Sequence, residues 1–61
     1  MAREFVIERT NETKREWWNG SGWTEDDQEA VWYGFEPDAP AETEDENARP
    51  VEYASGRIAE T

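Results

Sequence analysis

Ten carboxylates, Glu25, Asp26, Asp27, Glu29, Glu36, Asp38, Glu42, Glu44, Asp45 and Glu46, stand between positions 25 and 46 with no lysine or arginine among them. Acids at this density serve three kinds of chemistry: metal ligation, general acid–base catalysis, and recognition of a cationic surface. A calcium loop alternates its ligands and places a glycine at its sixth position and a glutamate at its twelfth. Counted from Asp26, the sixth position is Val31. With neither cysteine nor histidine in the chain, the usual soft metal ligands, a thiol nucleophile and an imidazole base are all missing. Paired carboxylates could hydrolyse a glycosidic bond while tryptophans stack on the sugar. Catalytic acids, however, need a cleft that shifts their pKa values, and 61 residues leave little volume for one. The expectation is a protein that is not an enzyme and takes no metal or cofactor.

Recognition remains. The formal net charge is −10, and all of it belongs to this stretch. Before Glu25, four bases (Arg3, Arg9, Lys14, Arg15) balance Glu4, Glu8, Glu12 and Glu16; after Glu46, Arg49 and Arg57 balance Glu52 and Glu60. Duplex nucleic acid and anionic membranes need a basic footprint, so neither is an expected partner. A basic protein surface is, of the kind a nucleic-acid-binding protein or complex presents, and the ten acids are the expected partner-binding residues. On a helix, Glu42, Asp45 and Glu46 would share one face at a spacing on the order of one ~5.4 Å turn, a rigid row imitating a phosphate backbone.

Trp17, Trp18 and Trp23 beside Lys14 and Arg15 offer an alternative, a stacking platform for single-stranded nucleic acid or another small ligand. Gly20 and Gly22 could cradle an anion through bare amides. The acids that follow favour the plainer use of both, a tight turn and a tryptophan core.

The elements that must hold these groups come from a short chain near the lower limit for independent folding, so one domain is expected. Its eight aromatics, each able to bury roughly 150–250 Å², are the natural core. No apolar run approaches the ~20 residues of a membrane span, and the N-terminus lacks a signal peptide's apolar region, which together predict a cytoplasmic protein.

Glu4–Thr10 reads as a strand, with Phe5 and Ile7 on the core face and Val6 on the other. Turn chemistry at Asn11-Glu12-Thr13 leads into a returning strand over Lys14–Trp18. Asn19-Gly20-Ser21-Gly22 reverses the chain again, and Thr24 is placed to cap one short helical turn through Gln28 or Glu29. Ala30–Phe35 reads as the third strand, Val31, Tyr33 and Phe35 alternating onto one face. From Asp38 to Arg49 two readings stand, a helix capped by Asp38 and stopped by Pro50, or a disordered acidic loop; the caps favour the helix. Val51–Ala54 is a fourth strand, and Arg57–Thr61 a tail or strand fragment anchored by Ile58. The predicted fold is α+β or mainly β: a small antiparallel sheet of three to four strands with one short acidic helix or loop before the last strand. Residues 1–24 form a neutral hairpin and tryptophan turn, 25–46 the acidic segment, and 47–61 the neutral last strand and tail.

The leading Phe-Val-Ile strand, the aromatic before Asn19-Gly20-Ser21-Gly22-Trp23-Thr24, the acids, and Ala30 two residues ahead of Trp32 and Tyr33 form a pattern over residues 5 to 35. It resembles a loose group of very short β-rich proteins of unknown function carried by phages and plasmids. What the resemblance implies is a mobile-element origin, in which small acidic proteins inhibit host nucleic-acid machinery, and a phage-type inhibitor of a host or defence complex, similar to anti-CRISPR proteins, working in the host cytoplasm.

Overall fold

The computed structural model describes residues 3–54. The sequence expectations for the Ser55-Gly56 turn and for Arg57–Thr61 lie outside them.

The first strand, β1 (Arg3–Asn11), is the centre of the molecule. The chain turns at Glu12 and Thr13, and β2 (Lys14–Trp18) returns antiparallel, with Glu8 opposite Trp17 and Asn11 opposite Lys14. The last strand, β4 (Arg49–Ala54), pairs antiparallel along the other side of β1, with Val6 opposite Val51 and Ile7 opposite Pro50. Proline has no N–H to give to a ladder and is therefore confined to edges. β4 is such an edge, so Pro50, expected to stop a helix, sits inside a strand. A two-residue strand, β3 (Trp23–Thr24), pairs with the end of β2, and the four-stranded order is β3-β2-β1-β4. The expected small antiparallel sheet, with one short helix before its last strand, is the observed fold.

Because side chains alternate across a sheet, β1 presents Phe5, Ile7 and Arg9 on one face, called odd here, and Glu4, Val6 and Glu8 on the other, called even. Sequence reasoning put the core on the odd face. Both are used: Val6 and Ile7 are each fully buried. On the even face Val6 packs with Trp17 and Ala30 under Trp32 and Tyr53; on the odd face Ile7 packs with Ala39 and Ala48 against Trp18, Trp23 and Tyr33. Burying a Val or Ile side chain contributes roughly 1.5–3 kcal/mol, and two sparse cores on one central strand are how so polar a chain accumulates enough.

The third strand is not where the alternation of Val31, Tyr33 and Phe35 places it. The ladder strand is Trp23–Thr24, and Ala30–Phe35 touches the sheet at one isolated bridge, Phe5 with Tyr33. Tyr33 exchanges both backbone hydrogen bonds with Phe5 (2.8 and 2.7 Å), while the Val31 N–H donates to the Trp18 carbonyl at 3.0 Å. The Val31–Tyr33 segment thus continues the lane that β2 leaves at Trp18, after an excursion through residues 19–30. Gly20, at φ 98°, begins that excursion; a Cβ there would be strained and would stand 3.4 Å from the Val31 Cγ2.

Within the excursion a single 3-10 turn, Asp27–Glu29, is capped by Asp26, whose side chain accepts from the Gln28 N–H. Thr24 is not the cap; its hydroxyl accepts from the Asp26 N–H and donates to Glu29. The acidic helix, α1, spans only Ala39–Thr43, with Asp38 as its N-cap and Pro40 in the first turn. It ends at Glu44, which takes the left-handed conformation (φ 57°) while its N–H reaches back to the Pro40 carbonyl. The Thr43 hydroxyl bonds the Ala39 carbonyl and accepts from the Asp45 N–H, diverting the chain into a turn over Asp45–Ala48. Consequently Asp45 and Glu46 lie beyond the helix, and the expected helical row of Glu42, Asp45 and Glu46 does not form.

Candidate partner-binding surface

The ten acids do not act as one group. Following β3, Glu25 stands 3.5 Å from the Lys14 ammonium, both groups exposed. Lys14, Glu16 and Trp18 alternate onto the face opposite Trp17, which is the odd face, so Glu25 is drawn to it. Glu29 goes the other way: its carboxylate accepts from Thr24 (2.8 Å), which sits across from Trp17 on the even side. Asp26 and Asp38 serve as caps, and Asp27 is half-buried. Glu36, Glu42, Glu44 and Glu46 are exposed. Among the described residues they make no ion pair.

Arg9 holds the odd face together. Its guanidinium lies 4.3 Å over the Trp23 ring, donates from Nε to Glu16 (2.8 Å), and donates from Nη1 to Asp45 (2.5 Å). Asp45 also accepts from the Asn47 N–H at 2.8 Å. The Asn47 amide first, and then Arg9, hold the Asp45 carboxyl below the usual carboxylate range. Trp23 lies two residues before Glu25, and Asp45 lies between Glu44 and Glu46. One cation therefore joins the start and the end of the acidic run across a sequence gap of about twenty residues, although Asp45 itself is spent in doing so.

Tyr33 extends this face. It packs on the Ile7–Ala39 cluster, and burial, with the charge of Glu42 added, pushes its phenol up. Phe35 stands edge-on to Tyr33, the ring centroids 5.9 Å apart.

The even face carries a network that sequence reasoning missed. Glu8 is 3% exposed. Its Oε2 accepts from Trp17 Nε1 (3.0 Å), Arg15 Nη2 (3.1 Å) and the Tyr53 hydroxyl (2.5 Å), and Arg15 Nη2 also donates to the Tyr53 oxygen. Burial pushes the Glu8 carboxyl up, but the hydrogen bonds from Arg15, Tyr53 and Trp17 and the nearby Arg15 charge outweigh it, and the net displacement is downward. Arg15 also lies 5.1 Å over the Trp17 ring. The signal was in the hairpin: counting back from Glu12-Thr13 puts Arg9 opposite Glu16 and Glu8 beside Arg15. Nothing comparable in the sequence announces Arg9 with Asp45 or Glu8 with Tyr53.

These contacts bear on the other uses considered for the tryptophans and glycines. Trp17 is buried, Trp18 and Trp23 pack edge to face at 5.5 Å, and Arg9 and Arg15 lie on the rings of Trp23 and Trp17. The amides of Ser21 and Gly22 both donate to the Asn19 side-chain oxygen, at 2.9 and 2.8 Å, so the turn satisfies its own donors. Among the described residues no group of three or more acids is arranged to hold a metal ion, and no helix is long and apolar enough to cross a membrane. Compared with models of protein families, with characterised proteins and with solved structures, the chain matches none.

Proposed function

We propose that this chain is a non-enzymatic, acidic protein-binding module that occupies a basic nucleic-acid-binding site on a host or defence complex, as a phage-type inhibitor would. The observation that carries the reading is the use made of the cations. Arg9, Lys14 and Arg15 are engaged with Glu16, Asp45, Glu25 and Glu8, all but the Lys14 pair at least partly buried, and the exposed Arg49 lies on the opposite, even face across from Glu8. Glu36, Glu42, Glu44 and Glu46 are left exposed, on and around the helix that covers the odd face. Long-range attraction from such a field accelerates docking on an Arg/Lys-lined groove and sets its register. The working surface is smaller than the acidic run: Asp45 is structural, and Glu29 turns toward the other face.

The test is a Glu36→Lys/Glu42→Lys/Glu46→Lys variant, which spares the Arg9 clamp. Immobilised wild-type protein should retain a nucleic-acid-binding protein from bacterial lysate at low salt, release it at high salt, and release it to competing DNA or RNA. The variant should keep its circular dichroism spectrum and retain nothing. A partner that withstands both charge reversal and nucleic-acid competition would refute the proposal.

A further inference from the structure

Phe35 is 65% exposed, the one large hydrophobic side chain left open among the described residues. A single exposed apolar residue is ordinary, but three features set this one apart. Its ring is paired with Tyr33 rather than free. The chain is anchored two residues to either side of it, by the double hydrogen bond of Tyr33 to Phe5 and by the buried Pro37. The ring stands exposed on a short segment anchored at both ends, so ordering it on binding costs less than on a free loop. Finally, the segment is flanked by anions: Glu36 and Asp38 follow Phe35 in the chain, and α1 brings Glu42 near Tyr33.

We infer that Phe35, backed by Tyr33 and rimmed by Glu36, Asp38 and Glu42, is the anchor of a docking surface for a basic amphipathic helix of a protein partner. Charge complementarity selects the occupant. An aromatic anchor requires an apolar recess, the surrounding carboxylates require lysine or arginine at its rim, and nucleic-acid-binding proteins commonly align such residues along a helix. The inference rests on the acidic-module reading and assigns a division of labour within it: carboxylates govern the rate of encounter, and Phe35 governs how long the complex lasts.

Two synthetic peptides of equal length and charge test it, an amphipathic helix of leucine and lysine, and its counterpart with serine in place of leucine. Affinities are measured by calorimetry or fluorescence anisotropy at two salt concentrations. The leucine peptide should bind at least about tenfold more tightly, a gain typical of one good anchor. Phe35→Ala, whose melting curve should match the wild type, should remove most of that preference while leaving the serine peptide unaffected. Phe35→Leu should restore part of it. Equal binding of the two peptides, or a preference that survives in Phe35→Ala, would overturn the anchor while leaving the acidic surface standing. Absence of salt-sensitive binding by either peptide would instead sink the acidic-module reading beneath it.

Discussion

Glu8 shows what a charge can do inside so small a sheet. Removing one partner of a buried, hydrogen-bonded charge leaves the others unsatisfied, and each hydrogen bond to a charged group contributes roughly 1.5–3 kcal/mol. Glu8→Gln, which keeps the shape but loses the charge, should therefore lower the unfolding free energy by about 2–3 kcal/mol in a urea titration. Tyr53→Phe, which removes one donor to that charge, should cost about 1.5–3 kcal/mol. The pH dependence follows from the directions of displacement. The Glu8 and Asp45 carboxyls titrate lower in the folded state than in the unfolded chain, so their stabilisation is complete above the ordinary carboxylate range. It should be lost as the pH falls through that range and below it. Tyr53 is displaced upward, by burial and then by its bond to Glu8, so its share persists in mild alkali and disappears as the pH rises past its folded-state value. A stability profile flat through acid in the wild type, or unchanged in Glu8→Gln, would contradict the network.

At the scale of elements, backbone conformation offers a separate test. Glu44 occupies a left-handed position at the end of α1, where glycine sits without strain and other residues lose roughly 1–2 kcal/mol. Glu44→Gly should raise stability by about 1 kcal/mol once the added freedom of the unfolded chain is deducted, read as a higher urea midpoint at unchanged slope. If stability falls, the carboxylate makes a contact that outweighs its backbone. This turn also illustrates what pattern reading can and cannot see. The hairpin was legible because propensity, alternation and turn residues over Glu4–Trp18 all agree. The helix start was legible in Asp38 and Pro40. Its early end was not, because Thr43 and Arg9, one local and one distant, draw the chain out of the helix at Glu44. Ala30–Phe35 misled for a related reason: its alternation is real, but one backbone pairing and a crossing of two cores satisfy it as well as a ladder would. Of the acidic surface, the sequence showed composition and spacing; only the fold showed that Asp45 and Glu25 are tied to cations and that Glu29 faces away.

For the whole molecule, the proposed function makes charge act on folding and binding with opposite sign. The principal extents are 32 × 24 × 17 Å, and the Debye length is about 10 Å at 0.1 M salt and about 3 Å at 1 M. At low salt the carboxylates therefore repel one another over much of the body, and screening should relieve this. The melting temperature should rise with added sodium chloride while association with a cationic peptide slows; the dissociation rate should change much less. A melting temperature that falls over the same series would mean that the Arg9 and Arg15 ion pairs, rather than self-repulsion, dominate the salt response.

The rejoining of a broken lane, Trp18 handing over to Val31, has a consequence for how such a molecule can change. Residues 19–30 leave and re-enter at nearly the same place, so the length and wording of the stretch between Thr24 and Ala30 matter little to the strands that frame it. Exchanging the tip of that excursion, with Trp23 and Ala30 kept as its footings, should yield new surfaces on an unchanged scaffold. A lineage pressed to follow a shifting target could rewrite this one parenthesis and never have to reinvent how it folds.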